Sequence, residues 1–162
     1  MTVSAFWEEV RHAVRSVDDP EYPGISIVDL GLVESIEANP GTGEVTIGLV
    51  PTFSGCPALA MIADDVERAV STVDGVTRVK VDWLLAPVWS IHRVSDAARN
   101  VMADRFTVAV QIGNEAPACP RCGTPTEEQS LFGPSRCRSI HHCPHCSETV
   151  EVMRGSTELS TG

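Results

Sequence analysis

Four cysteines near the C-terminus constrain the fold of this chain more than any other feature. They form two CxxC pairs, Cys119 with Cys122 and Cys143 with Cys146, separated by the 20 residues 123–142. Each CxxC turn can direct two thiolates at one point, so two turns supply the four soft ligands of a tetrahedral zinc site. The segment is too small to bury a core of its own, and a bound metal is therefore its expected source of stability.

The same four ligands leave two other interpretations open, namely two disulfides or a rubredoxin-like iron site. We favour a zinc ribbon that holds one zinc per chain. Four thiolates leave no coordination position for water or substrate, so such a metal is structural rather than catalytic. The chemistry of the protein is therefore expected upstream of the ribbon.

The cysteines also indicate how the 162 residues are divided. Five of the six cysteines follow residue 118, and Cys56 alone precedes it. This distribution favours one small domain followed by a metal-stapled module. We predict a first domain over residues 1–113, a zinc ribbon over 114–154 and a disordered tail over 155–162.

Composition and charge argue against several classes of protein. The net charge is −10, and neither part of the chain carries the basic stripe on which sequence-independent nucleic-acid binding depends. The first residues lack a basic-plus-apolar export signal, and no apolar run approaches the length that spans a bilayer. We therefore expect a cytoplasmic protein without a membrane partner, in a reducing compartment that suits thiolate ligands better than disulfides.

Hydrophobic periodicity predicts an α/β (α+β) first domain, a small mixed sheet with packed helices. Apolar residues at helical spacing alternate with short segments in which every second residue is apolar. The predicted elements are a helix over 4–17 with Ser4 as N-cap, strands over 32–38 and 44–50, a helix over 58–72, a strand over 78–83, a helix over 95–103 capped by Ser95, and a last strand over 106–112.

The order of these elements also predicts how the strands pair. The segment 39–43 is rich in turn residues, which favours an antiparallel hairpin between the first two strands. The strand–helix–strand order that follows makes the second and third strands parallel, through a right-handed crossover.

Cys56 is the candidate functional thiol of the first domain. It lies in the segment Ser54-Gly55-Cys56-Pro57, where a loop enters the second helix. The unsatisfied N–H groups and the positive dipole at a helix N-terminus favour a thiolate, and Gly55 permits tight backbone geometry beside the sulfur. The alternative is a small buried cysteine that packs against the sheet.

Three further residues are singled out with less specific signals. Asp29 is an acid among apolar residues, and it either caps a turn or faces the Cys56 loop as an acid or ligand. Trp89 lies in a proline-containing loop where full burial is difficult, which makes it a candidate contact surface. Cys137 lies outside both CxxC pairs and is an alternative ligand, a free thiol or a structural residue. The histidines beside the second pair, His141, His142 and His145, are expected to orient ligands or face solvent.

The motifs together resemble the small iron–sulfur assembly domain found in SufT-like and cytosolic iron–sulfur targeting proteins. The resemblance covers roughly residues 5–104 and is carried by segments 19–33, 51–58, 86–89 and 95–99. It implies that the reactive cysteine of that family corresponds to Cys56 and its signature aspartate to Asp29.

The tail is similar to one branch of this family, the PaaD-like (PaaJ-like) proteins encoded with a multicomponent phenylacetyl-CoA epoxidase. Residues 51–58, 119–123 and 132–137 carry this similarity. It implies an accessory protein, not an enzyme, that helps to install an iron–sulfur or diiron centre in an aromatic (acyl-CoA) oxygenase. Its implied cargo is a transient iron or iron–sulfur cluster.

The implied partners are oxygenase or reductase subunits and other iron–sulfur assembly proteins, and a homo-oligomer is left open. Ser90-Ile91-His92 replaces the usual Thr-Thr-Asp, which leaves the identity of the client oxygenase open. Two functions of other classes stand as alternatives. A zinc-ribbon nucleic-acid or transcription-associated protein is opposed by the acidic charge. A Cys56-dependent enzyme would need a substrate pocket and a base near the sulfur.

Overall fold

The computed structural model describes residues 2–52, 57–134 and 138–153. The chain divides into two compact units, residues 1–51 with 55–88 and residues 52–54 with 89–162. Each unit contains a small mixed sheet, and the described residues contain three α-helices. The predicted fold class is therefore confirmed.

The first unit is a three-stranded sheet with two helices. Its strand order is β1-β2-β3, in which β1 and β2 are antiparallel and β2 and β3 are parallel. The predicted hairpin and the predicted parallel pair are both confirmed. The elements are α1 (Val3–Arg15), β1 (Val33–Asn39), β2 (Glu44–Leu49), α2 (Ala58–Ser71) and β3 (Arg78–Trp83).

The core of the first unit is built from apolar side chains of both helices and of β2. Buried side chains recur every three or four residues along the helices and at alternate positions of β2, because those spacings place them on one face. Thr2 is the N-cap of α1, because its Oγ1 accepts a hydrogen bond from the Ala5 N–H at 3.1 Å, so the predicted cap at Ser4 is wrong. The fully buried residues include Val10, Val14, Ile47, Leu49, Val66 and Val70.

The second unit combines one α-helix with a four-stranded sheet of order β4-β7-β6-β5. The pair β4–β7 is parallel, whereas β6 is antiparallel to both β7 and β5. Ser95 caps the helix as predicted, since its Oγ accepts from the Ala98 N–H at 3.1 Å. The elements are a 3-10 turn (Ile91–Arg93), α3 (Asp96–Phe106), β4 (Val108–Val110), β5 (Glu127–Ser130), β6 (Arg138–His142) and β7 (Thr149–Met153).

The strand β4 differs most from expectation. The sequence predicted it as the last strand of the first domain, over 106–112, but it covers three residues and pairs with β7. Alternating apolar residues indicate a strand and say nothing about its partner, because pairing depends on distant residues. The unit that holds the ribbon accordingly includes residues from Trp89 onward.

Several predictions fall on positions that the structure does not describe. These are Cys56 with Ser54 and Gly55, Cys137, and the tail 155–162. Among the described helices, none combines the length and the hydropathy that crossing a membrane requires.

Candidate metal centre

The four predicted ligands converge at one point of the second unit. Their Sγ atoms all lie within 4.8 Å of one another. Cys119 Sγ lies 3.6 Å from Cys146 Sγ, and Cys122 Sγ lies 3.4 Å from Cys143 Sγ. A disulfide would require about 2.05 Å, and all four cysteines are free, so the two-disulfide alternative is not borne out.

The first CxxC turn, which we call the first knuckle (residues 119–124), is closed by backbone hydrogen bonds. The Gly123 N–H donates to Cys119 O, and the Cys119 N–H donates to Thr124 O, both at 2.8 Å. The Arg121 N–H points at Cys119 Sγ at 3.4 Å. Gly123 has φ +77°, a left-handed conformation that glycine adopts without cost.

The second knuckle (residues 143–148) is closed by the same backbone hydrogen bonds and differs in two details. The Ser147 N–H donates to Cys143 O at 3.0 Å, and the Cys143 N–H donates to Glu148 O at 2.9 Å. The Cys146 N–H points at Cys143 Sγ at 3.5 Å. Ser147 occupies the position of the glycine with φ +63°, where a side chain is strained.

Each knuckle contributes one buried and one exposed thiol. Cys119 and Cys143 are 3% and 0% exposed and pack with Val150 and Val152 in a small apolar cluster. The second cysteine of each pair is exposed. The site is therefore anchored to the core of its sheet on one side and reaches solvent on the other.

The thiols do not share one protonation state. The Thr124 hydroxyl and backbone lower the pKa of Cys122 to about 6. At Cys146 the Glu148 backbone N–H lowers the pKa, but desolvation and the neighbouring thiols raise it further, to about 12. Crowded thiolates repel each other, so one ionised sulfur keeps another protonated.

The donor set fits zinc. With Zn–S bonds of about 2.3 Å, the sulfurs of a tetrahedral site stand about 3.8 Å apart. The sulfur separations of 3.4 and 3.6 Å lie close to that value. A divalent cation would also remove the repulsion between the thiolates, and the N–H groups that point at Cys119 and Cys143 would stabilise the sulfur charge.

His141 supports the site from a buried position. It is 4% exposed, and its Nδ1 lies 3.1 Å from Thr126 Oγ1, which donates to Pro117 O at 2.8 Å. Since the single Thr126 hydroxyl proton goes to Pro117, the Nδ1–H of His141 is the donor in the other bond. His141 thus fixes, through Thr126 and Pro117, the segment that leads into the first knuckle.

Arg121 is a supporting residue that the sequence reasoning missed. Its Nη2 donates to Thr107 Oγ1 at 2.9 Å, and its Nε lies 3.8 Å from Glu148 Oε2. One side chain therefore connects the first knuckle to the second knuckle and to the end of α3. The only signal in the sequence was its position between two ligands, which does not reveal distant partners.

Asp29 lies in the turn over residues 26–32 of the first unit. The turn is closed by backbone bonds, Leu30 N to Ser26 O and Gly31 N to Val28 O, both at 3.0 Å. The Asp29 carboxylate is half-buried and makes no hydrogen bond to any residue in the described ranges. The turn was predicted, whereas a capping role for this carboxylate is not seen.

Trp89 corrects an expectation. Its side chain is 1% exposed, so the prediction that it offers a contact surface is wrong. The proline-containing loop suggested solvent, but burial of a large aromatic side chain stabilises a fold strongly enough to override local sequence.

Comparison with known proteins identifies the family. A model described as "Iron-sulfur cluster assembly protein" matches residues 8–83, and one described as "PaaD zinc beta ribbon domain" matches residues 104–154. An Escherichia coli (strain K12) protein, named as a candidate component of 1,2-phenylacetyl-CoA epoxidase, is 30% identical over 90% of this chain and 91% of its own length. The chain belongs to the PaaD family.

Other relatives match mainly the first unit. A Porphyromonas gingivalis protein named "Fe-S protein maturation auxiliary factor" is 35% identical over 56% of this chain and 85% of its own. A Bacillus anthracis crystal structure titled a domain of unknown function, DUF59, has a TM-score of 0.57 at 33% identity. It covers 63% of this chain and 95% of that one, which supports the fold of the assembly domain.

Proposed function

We propose that this PaaD-family chain is an accessory factor that assists the assembly of an iron–sulfur or diiron centre in a multicomponent aromatic (acyl-CoA) oxygenase. The observation that carries the proposal is the relative named for the epoxidase, which matches across both the assembly domain and the ribbon. Relatives named Fe-S protein maturation auxiliary factors support a helper rather than a catalyst.

Cys56 is the proposed transfer or docking thiol, with Ser54, Gly55 and Asp29 as its neighbours. Its place immediately before Pro57 and the helix α2 supports this role, because a helix N-terminus favours a thiolate. Transfer would proceed by ligand exchange. The Cys56 sulfur gives an electron pair to iron and is later replaced by a thiolate or carboxylate of the client, with no change in oxidation state.

One zinc held by the two knuckles is the proposed structural cofactor, and the ribbon is the proposed contact module for oxygenase or reductase subunits. The convergence of four free cysteines supports the zinc assignment. Elemental analysis of protein purified without added metal should find about one zinc per chain. Iron in that amount would instead establish the rubredoxin-like alternative.

The function is tested by producing the oxygenase and its reductase together with the wild-type chain, with Cys56→Ala or without the chain. Cys56→Ala should fold normally, because one small side chain contributes little packing energy, yet it should lower the iron content and turnover of the oxygenase. Ser71→Ala, at the exposed far end of α2, is the matched control and should behave as wild type.

A second arm separates a helper from a working subunit. Wild-type protein added to fully assembled oxygenase and reductase should leave turnover unchanged, because assembly is complete. A requirement for stoichiometric chain in every assay, with normal iron content in its absence, would refute the helper role.

A further inference from the structure

We propose that the groove between α1 and β1 docks an acidic, amphipathic segment of a partner protein. The groove has a volume of about 460 Å³. Four exposed residues of α1 form one wall, and Val33 and Ile36 of β1 form part of the other. An assembly factor must bind its client protein, and this groove is a candidate site for that contact. The identity of the partner as a client therefore rests on the proposed function.

The charge of this groove is opposite to that of the whole chain. The protein carries −10, yet the only two arginines among its first 52 residues, Arg11 and Arg15, both line the groove together with His12. The single acid of the lining is Glu8, which Arg11 already neutralises at 3.3 Å. Arg15 makes no ion pair with any described residue, so its guanidinium is available to a carboxylate of a partner.

The shape of the groove indicates a segment rather than a small molecule. Glu8, Arg11 and Arg15 recur on one face of α1 and extend about 10 Å along its axis, or two helical turns. The Arg11 side chain is 60% exposed, so the cationic rim stands in solvent, where a macromolecule can reach it. The half-buried Val33 and Ile36 make the opposite wall apolar. An amphipathic segment satisfies both surfaces at once.

The other side of α1 would reject the same segment. There a second groove of about 770 Å³, between α1 and α2, shares Glu8 and His12 with the first groove but adds two acids, Glu9 and Asp74, and has no arginine in its lining. Its Ser16 and Thr72 hydroxyls donate to carbonyls of their own helices at 2.7 Å, which leaves that wall rich in acceptors. An acidic partner is therefore favoured on the β1 side and repelled on the α2 side.

The position of the groove relates it to the proposed function. Val28 lines it, and the next residue in the chain is Asp29, the signature aspartate of the resemblance. A segment seated in the groove would therefore lie beside the turn that we assign to the transfer site. This adjacency favours a client protein as the occupant over an unrelated anion.

The test uses two synthetic helical probes of about 14 residues, one built from Glu, Leu and Ala and its counterpart with Lys in place of Glu. Binding to the full-length chain is followed by backbone amide shifts and by the change in tryptophan emission that is lost in Trp7→Phe, because the Trp7 ring lies 5.8 Å from the Arg11 guanidinium. We expect the Glu probe alone to bind, with shifts confined to α1, β1 and the turn over 26–32, and weaker binding at high salt.

Arg15→Glu is the decisive variant, and Arg78→Glu is its control. Arg78 is an exposed arginine of β3 outside the groove, so both variants change the net charge equally. We expect Arg15→Glu to lower the affinity for the Glu probe about tenfold, which corresponds to one lost charge pair. Arg78→Glu should keep that affinity within about twofold of the wild-type value. Equal losses in both variants, or equal affinity for the two probes, would overturn the proposal.

Two further measurements identify the occupant. In the co-production assay, Arg15→Glu should lower the iron content of the oxygenase while Cys56 is alkylated at the wild-type rate. An unchanged iron content would refute the client as occupant.

Sedimentation should show the same oligomeric state for wild type and Arg15→Glu, and a dimer lost in Arg15→Glu would assign the groove to a second copy. If the oxygenase proves not to need this chain, the proposed function fails, but the binding of the two probes still shows whether the groove takes an acidic segment.

Discussion

The two units have similar secondary structure and different sources of stability. The first buries apolar stripes of α1 and α2 against β2, with Val10, Val14 and Ile47 fully buried. In the second, the small apolar cluster beside the knuckles consists of Val150, Val152 and two of the candidate metal ligands, Cys119 and Cys143. The two knuckles, with that little apolar surface around them, are expected to depend on cross-linking by a metal, whereas the first unit depends on packing. The units should therefore fail under different perturbations.

The largest effect is expected from Cys143→Ser. Structural zinc supplies apparent binding energies of about 10–16 kcal/mol in small zinc domains, so loss of a buried ligand should unfold the knuckles and β5–β7. The first unit should remain folded. Limited proteolysis and zinc analysis of the full chain would show a protected segment 1–88 and no bound metal.

Cys137→Ser is the matched cysteine control and should retain zinc. A metal-free Cys143→Ser protein whose residues 119–153 still resist protease would show that packing alone holds the ribbon, and the comparison between the units would be lost.

Ile47→Ala should produce the opposite pattern. It removes a fully buried side chain at the middle strand of the first sheet, which costs about 2–5 kcal/mol for such truncations. The zinc content should stay at the wild-type value, because no ligand is touched. Denaturant unfolding monitored together with metal release would measure the stability of the first unit and the zinc content in one experiment. Simultaneous loss of zinc and of the first unit would show that the units are not independent.

Acid should act on the ribbon through its thiols. At about pH 7.5 the metal-free chain has Cys122 ionised, with its pKa at about 6, while Cys146, at about 12, holds its proton. Below pH 6 zinc must displace about one more proton, so its apparent affinity should fall more steeply there, by about another tenfold per pH unit. Chelator competition across this range would measure the slope. An unchanged slope through pH 6 would contradict the assignment.

The smallest effect should distinguish the two knuckles. Ser147→Gly should relieve a left-handed side-chain residue and stabilise the ribbon by up to about 1 kcal/mol, whereas Gly123→Ala should cost about 1 kcal/mol. No described atom lies within 4 Å of a Cβ at Gly123, so that cost would be conformational rather than steric. Zinc retention against a chelator, compared between the two variants, would reveal the order. If Gly123→Ala retained zinc better than Ser147→Gly, the left-handed backbone conformation would not be what limits the stability of the knuckles.

The sequence predicted the local features of both units well. Helical periodicity gave α1 and α2 within two residues at each end, and the turn-rich segment 39–43 gave the hairpin, because each signal is contained in neighbouring residues. The paired CxxC turns predicted the convergence of four sulfurs although 20 residues separate the pairs, because a tetrahedral metal site needs four such ligands.

What failed depended on distant contacts. Thr2 and Ser4 are both good capping residues, and only the fold selects between them. The burial of Trp89 and the pairing of β4 with β7 are decided by residues far along the chain. The cross-links made by Arg121 were not predictable for that reason either.

The parallel pair β4–β7 has a consequence for the order of biosynthesis. Residues 108–110 pair with 151–153, so both knuckles lie inside the loop that this pairing closes. During synthesis β4 emerges first and has no partner until the last described strand has followed it. An ion captured by the four thiolates would already have shortened the free loop, which lowers the entropic cost of closing it by about 1 kcal/mol. Metal supply at the time of translation would then decide how long the edge of β4 stays open to other chains.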